Sequence, residues 1–127
     1  MGYILDTHAF LWFLNGDSSL SAKAIKIIEN ADSIKYISIA SLWEIAIKLN
    51  IGRLSLDFPF KEFKKHIIKN GFHILPITFN DILKLNNLKM YHRDPFDRII
   101  ISQGIQNNFS IITKDKNFEQ YNVKLIW

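Results

Sequence analysis

Apolar residues along the chain recur with two spacings, which alternate from one segment to the next. Short apolar runs bounded by polar or turn-forming residues predict buried strands, at residues 3–5, 35–39, 72–77, 109–112 and 123–126. Between these runs, apolar positions three or four residues apart predict amphipathic helices, at residues 9–14, 21–31, 41–49, 59–70, 80–90 and 95–106.

Strands and helices therefore alternate along the whole chain. The strands are apolar on both faces, which indicates a mostly parallel sheet covered by helices on each side. We predict a three-layer α/β/α fold with four to five strands, forming a single domain over residues 1–127. Folds of this kind bind ligands where the C-terminal ends of strands meet the N-terminal ends of helices.

Composition and charge narrow the class of protein. Of the 127 residues, 48% are hydrophobic and 13% aromatic, which is typical of a folded globule and not of a disordered chain. No apolar run approaches the roughly 18–20 residues that span a bilayer, and residues 1–14 lack the features of a signal peptide, so we expect no membrane partner. The absence of cysteine excludes disulfides and thiolate metal sites, and agrees with a reducing, cytoplasmic location. A net charge of +4 mildly favours an anionic partner.

The segment HRDPFDR, at residues 92–98, has the pattern of a helix start. Asp94 is predicted as the N-cap and Pro95 as the first helical residue. Asp97 then lies in the first turn, near the positive end of the helix dipole. Gly104, in the interior of the same helix, predicts a close approach to a neighbouring element.

Three further acids lie at the ends or starts of predicted elements. Asp6 directly follows the first strand, and Asp115 lies in the turn after the fourth. Glu44 lies near the start of the helix that follows the second strand. Each acid has a structural explanation: a cap or turn for the aspartates, and for Glu44 a capping box with Ser41 or an ion pair with Lys48.

The four acids are predicted to share one edge of the sheet: Asp6, Glu44, Asp97 and Asp115. Clustered carboxylates repel one another unless a cation neutralises them. Oxygen ligands without cysteine or a histidine-rich pattern select a hard divalent ion such as Mg²⁺ or Mn²⁺. Such an ion positions water and stabilises the charge that develops on a phosphodiester. The cluster therefore indicates metal-dependent hydrolysis of phosphoesters.

Four short motifs make the chain resemble PIN domains, in particular the VapC-like ribonuclease toxins of prokaryotic type II toxin–antitoxin systems. They are ILDTH at 4–8, SLWEI at 41–45, HRDPFDR at 92–98 and TKD at 113–115, in the order and spacing of that family. The resemblance implies a Mg²⁺- or Mn²⁺-dependent endoribonuclease that cleaves RNA. It also implies a homodimer that is held inactive by an antitoxin from the same operon.

The resemblance implies Asp6, Glu44 and Asp115 as the first, second and last acids of the site. For the third acid, the family pattern selects Asp97, directly before the apolar helical run, and leaves Asp94 as its structural support. Asp6 and Asp97 are then the principal metal ligands. Glu44 and Asp115 complete the set of catalytic, metal-binding acids, either ligating through water or orienting the attacking water.

Several neighbouring side chains have more than one interpretation. Thr113 is placed to hydrogen-bond within the acidic cluster, and Thr7 either does the same or is an ordinary turn hydroxyl. Arg98 either contacts an RNA phosphate or pairs with an acid. His8 and His92 are interpreted as exposed loop residues.

Aromatic and basic residues outside the acidic motifs receive simpler interpretations. Trp12, Trp43 and Phe10 are predicted to pack in the core or at an interface rather than to stack on bases. Residues 58–63 offer apolar surface for a partner. A basic helix face is either solvated or steers RNA; it consists of Lys61, Lys64, Lys65 and Lys69.

Other functions compete with a nuclease. A doubly wound phosphatase of the haloacid dehalogenase type would use Asp6 as a nucleophile, but such enzymes carry a second aspartate where this chain has His8. A catalytically silent PIN-like module that only binds RNA or a partner would be favoured by gaps among the four acids, and all four positions are filled. A purely structural α/β domain also fits the pattern of elements.

Overall fold

Five parallel strands form one sheet in the computed structural model, which describes residues 2–127. They are β1 (Gly2–Leu5), β2 (Ile34–Ser38), β3 (Phe72–Leu75), β4 (Ser110–Ile112) and β5 (Leu125–Ile126). Their order across the sheet is β3-β2-β1-β4-β5, and each neighbouring pair is parallel. β1 is therefore the central strand, and Asp6, which follows it, lies in the middle of the C-terminal edge of the sheet.

Helices connect the strands and cover both faces of the sheet. They are α1 (Thr7–Asn15), α2 (Ala22–Glu29), α3 (Ile39–Asn50), α4 (Phe63–Lys69), α5 (Phe79–Asn86) and α6 (Pro95–Asn107). Successive strand residues point to opposite faces, so Leu5 packs in one core cluster with Phe10, whereas Ile4 packs in another with Ile100. The two clusters confirm the predicted three-layer architecture. Within residues 2–127, no helix is both long and apolar enough to cross a membrane.

Two elements before α5 are shorter than predicted. The strand expected at 72–77 ends at Leu75, since Pro76 has no N–H to donate to a neighbouring strand. The helix expected at 59–70 begins as a 3₁₀ turn, Phe60–Glu62, and becomes α-helical only in α4. Neither change moves the acidic residues away from the predicted edge of the sheet.

The helix predicted at 80–90 also ends early, at Asn86. The backbone then turns so that the carbonyl groups of Leu88 and Lys89 accept hydrogen bonds from the guanidinium group of Arg98. The turn after α5 thus supplies carbonyl acceptors to a guanidinium group that is 6% exposed.

Gly104 lies where α6 packs against β4. A Cβ at this position would lie 3.0 Å from Cδ1 of Ile111 and 3.1 Å from Cγ2 of Val123. The predicted close approach is therefore confirmed. It seats α6 directly on the strand that leads to Thr113 and Asp115.

Candidate active site

Asp6 lies at the junction of β1 and α1 and is 4% exposed. Its Oδ1 accepts the backbone N–H of Ala9 at 2.8 Å, which caps α1. Its Oδ2 accepts the hydroxyl of Thr113 at 2.5 Å. Both carboxylate oxygens are thus held by donors, which fixes the direction in which the remaining lone pairs point.

Thr113 links Asp6 to Asp115. Its Oγ1 also accepts the backbone N–H of Asp115 at 3.0 Å. The side chain of Asp115 caps a 3₁₀ turn, Lys116–Gln120, by accepting the N–H of Asn117 at 2.9 Å. The segment that follows β4 therefore holds Asp115 beside the C-terminal end of β1.

Glu44 reaches the same edge from the first half of α3 and is 7% exposed. Its Oε1 accepts the hydroxyl of Thr7 at 2.7 Å, and its Oε2 pairs with Lys48 Nζ at 3.0 Å. The predicted ion pair is confirmed, but the predicted capping box is wrong, because Ser38 caps α3 and Ser41 already lies in its first turn. Ser41 Oγ instead lies 2.9 Å from Thr7 Oγ1. Because Thr7 also donates to Glu44, it belongs to the acidic cluster.

α6 begins as its sequence predicts. Asp94 is the N-cap, and its Oδ1 accepts the N–H groups of Phe96 at 2.9 Å and Asp97 at 3.1 Å. Pro95 occupies the first helical position. The carboxylate of Asp94 is thus engaged by backbone, whereas that of Asp97, 18% exposed, projects from the first turn.

The acids share one electrostatic environment. Burial raises the pKa of Asp97 from 3.8 to about 8, and four neighbouring acids add to the effect: Asp94, Asp6, Asp115 and Glu44. Burial also raises the pKa of Asp6, although hydrogen bonds from Thr113 and Ala9 oppose that shift. The side chains of these acids are therefore close enough to influence one another's protonation.

The donor set suits a hydrated divalent cation. Within residues 2–127, no three histidine, aspartate or glutamate side chains converge closely enough to enclose a bare ion. Mg²⁺ keeps several of its waters and usually takes only one or two protein carboxylates directly. The oxygen donors of the four acids are of the kind that such an ion prefers.

A cleft of about 380 Å³ opens beside Asp6 and Asp115. Its other walls are His8, Trp12 and Lys114. The cleft thus combines two acids, a lysine and two aromatic rings.

Comparison with known proteins identifies the family. The sequence profile described as "PIN domain" matches residues 3–124. The chain belongs to the PIN domain family. It is also similar to ribonuclease VapC22 of Mycobacterium tuberculosis, with 26% identity over an alignment of 122 residues that covers 93% of this chain and 90% of that protein.

Solved structures share this PIN fold. The crystal structure of VapBC2 from Rickettsia felis bound to a DNA fragment from their promoter superposes with a TM-score of 0.76 and 18% identity, covering 99% of this chain and 98% of that one. A toxin–antitoxin complex from Klebsiella pneumoniae superposes with a TM-score of 0.66 and 16% identity, covering 98% and 96%. At these identities the likeness concerns the fold alone.

Arg98 of this PIN domain contacts backbone carbonyls and a tyrosine rather than an acid. It is 6% exposed, and its Nη1 donates to the carbonyl of Lys89 at 2.8 Å and to the hydroxyl of Tyr121 at 3.0 Å. Its Nη2 donates to the carbonyl of Leu88 at 3.2 Å. Adjacent helical residues point about 100° apart, so Arg98 turns into the protein while Asp97 faces the site. The predicted pairing with an acid is therefore wrong, and the contact with an RNA phosphate stays a prediction.

The two histidines within the acidic motifs, His8 and His92, differ in their exposure to solvent. His8 is exposed, as predicted, with its ring 5.9 Å from that of Trp12. His92 is wrongly predicted as an exposed residue: its side chain is only 12% exposed, and its Nε2 lies 3.6 Å from Asp97 Oδ2. Its Nδ1 lies 2.8 Å from the hydroxyl of Tyr121. Tyr121 was missed altogether, because no local pattern marks a tyrosine that meets a ring so far away in sequence.

Aromatic residues near the site divide between core and surface. Phe10 is fully buried, as predicted, and Trp12 packs against Trp127 with ring centroids 5.9 Å apart. Trp43 is 62% exposed and meets Phe96 edge-on at 5.1 Å. It is not a core residue of the monomer, and its place at an interface stays a prediction.

The basic face of α4 and the preceding turn is exposed, and RNA steering by it stays a prediction.

Proposed function

We propose that this PIN domain is a metal-dependent endoribonuclease and the toxin of a type II toxin–antitoxin pair. The observation that carries the proposal is that Asp6, Glu44 and Asp115 all lie near enough to Asp97, along one edge of the sheet, to contribute to the rise of its pKa to about 8. The similarity to a ribonuclease over 93% of the chain supports the same reaction. RNA is the proposed substrate, and the cytoplasm the proposed location.

Mg²⁺ or Mn²⁺ is the proposed cofactor, held chiefly by Asp6 and Asp97, with Glu44 and Asp115 ligating through water. When bound, such an ion lowers the pKa of coordinated water and stabilises charge on the phosphoryl oxygens. The protein orients these ligands: Thr113 restrains Asp6 through the bond to its Oδ2.

Glu44 is the proposed residue for orienting the attacking water. Thr7 and Lys48 each hold one of its carboxylate oxygens, which sets the direction of the remaining lone pairs. A water placed by Glu44 is then aligned with the scissile phosphate before the reaction begins. Lys114, on the rim of the cleft, is placed to attract the phosphate backbone.

An antitoxin and a second copy of this chain are the proposed protein partners. The proposal rests on the similarity of the whole chain to proteins solved as VapBC and toxin–antitoxin complexes. Residues 58–63, where Phe60 is 40% exposed, supply apolar surface for such a partner.

Incubation of the purified protein with single-stranded and structured RNA, in Mg²⁺, Mn²⁺ or EDTA, tests the nuclease. We expect cleavage with either ion, none in EDTA, and none by Asp6→Asn or Asp97→Asn. Asp32→Asn changes an exposed acid in the turn before β2 and is the matched control, which should cleave like the wild type. Cleavage in EDTA or by Asp6→Asn would contradict the proposal. RNA binding without cleavage by the wild type would favour the silent module.

A further inference from the structure

The hydroxyl group of Tyr121 lies among three nitrogen atoms. Arg98 Nη1 donates to it at 3.0 Å, and the backbone N–H of His92 donates to it at 3.2 Å. His92 Nδ1 lies 2.8 Å from the same oxygen. A guanidinium and a backbone N–H can only donate, so they occupy the acceptor positions of the phenolic oxygen. The hydroxyl proton of Tyr121 is therefore left for His92 Nδ1.

These hydrogen bonds of the Tyr121 hydroxyl group determine the tautomer of His92. A ring nitrogen that accepts a hydrogen bond carries no proton, so the proton of the neutral ring lies on Nε2. The neighbours are rigid enough to maintain the pattern, because Tyr121 is 5% and Arg98 6% exposed. The rings of His92 and Tyr121 also pack edge-on, with centroids 5.4 Å apart.

The Nε2 atom of His92 faces the carboxylate of Asp97. Nε2 is buried and has no hydrogen-bond partner within residues 2–127, and Asp97 Oδ2 lies 3.6 Å away. That distance is too long for a hydrogen bond. Because the carboxyl torsion of an aspartate has a broad energy minimum, a small rotation of Asp97 brings its oxygen within reach of the N–H.

We infer that His92 is a positioning residue for Asp97, held in the Nε2–H tautomer by Tyr121 and Arg98. The inference rests on the proposed function, in which Asp97 is a principal metal ligand. A carboxylate with one oxygen restrained by His92 presents its other oxygen in a defined direction. The buried residues Tyr121 and Arg98 thus influence the acidic cluster without touching metal or RNA.

The tautomer is measurable in the ring ¹⁵N chemical shifts of the labelled, metal-free protein. Long-range ¹H–¹⁵N spectra of the wild type should show His92 protonated on Nε2 and unprotonated on Nδ1. His92→Gln identifies its signals among those of the four histidines. Tyr121→Phe should increase the population of the Nδ1–H tautomer, because phenylalanine has no hydroxyl proton to give Nδ1 and only Asp97 then favours Nε2–H. Protonation of Nδ1 in the wild type, or unchanged tautomer populations in Tyr121→Phe, would overturn the inference.

Mn²⁺ titration measures the consequence for the site. The amide of glutamine reaches roughly the position of Nε2, whereas that of asparagine reaches only the position of Nδ1. His92→Gln should therefore bind Mn²⁺ within about threefold of the wild type, and His92→Asn about tenfold or more weakly. His73→Asn, which changes an exposed histidine of β3, is the matched control and should bind like the wild type.

The outcomes separate this inference from the proposed function. Equal effects of the glutamine and asparagine variants at His92 would overturn the positioning role even if RNA is cleaved. If the proposed function is wrong, the wild type neither binds Mn²⁺ nor cleaves RNA. The tautomer, measured without metal, then still supports or overturns the arrangement at His92.

Discussion

Replacing Asp97 by asparagine should stabilise the metal-free protein at neutral and alkaline pH. The pKa of Asp97 is about 8 in the folded protein, against an ordinary value of 3.8. Between these values the folded state retains a proton that the unfolded chain has released, so the contribution of Asp97 to stability falls as the pH rises. Below about pH 4 the carboxyl group is protonated in both states, and the penalty disappears.

The size of the effect follows from the same pKa values. A difference of about four units is worth about 5 kcal/mol for a site sealed from water. The Asp97 side chain is 18% exposed, and screening by solvent reduces the penalty to about 2 kcal/mol. Asparagine has nearly the same volume and no charge. At pH 8, Asp97→Asn should therefore raise the free energy of unfolding by about 2 kcal/mol and the Tm by about 6–10 °C.

Urea and thermal unfolding in EDTA, from pH 4 to pH 8.5, provide the assay. The gap between Asp97→Asn and the wild type should grow from nearly zero at the acidic end to its full size at pH 8. Asp32→Asn, at an exposed position, should follow the wild type throughout. A gap of constant size, or a variant less stable than the wild type at pH 8, would refute the electrostatic account of the site.

Four further changes test the roles of individual side chains. Saturating Mn²⁺ should raise the Tm of the wild type more than that of Asp97→Asn, since a ligand stabilises only the state that binds it; equal shifts would argue against Asp97 as a ligand. Asp94→Asn should unfold nearly like the wild type and still cleave RNA, whereas Asp94→Ala should lower the free energy of unfolding in urea by about 1 kcal/mol. An Asp94→Asn variant that does not cleave RNA would indicate that Asp94, and not Asp97, is the site residue. Arg98→Lys should lose about 2 kcal/mol in the same assay, because a single ammonium nitrogen cannot reach all the acceptors that Nη1 and Nη2 of Arg98 serve separately; wild-type stability would contradict that. Thr113→Val should weaken Mn²⁺ binding about tenfold in calorimetry, because Asp6 loses a donor that orients it; unchanged affinity would contradict that role.

The sequence by itself determined the order of the elements and the positions of the four acids along them. Apolar spacing and caps depend on residues within about four positions of one another, so these signals are complete before the chain folds. The cap at Asp94 was predictable for that reason. The parallel sheet then follows from strands that are apolar on both faces. The catalytic roles of the acids remain predictions.

The tertiary structure alone decided which side chains meet. Thr7 and Glu44 are 37 residues apart, His92 and Tyr121 are 29 apart, and Thr113 reaches Asp6 across 107 residues. Periodicity identifies the face of an element but not its partner, since crossovers bring strands together that are distant in sequence. For this reason the sequence did not place Arg98 and His92 beside Tyr121, whose hydroxyl group both contact.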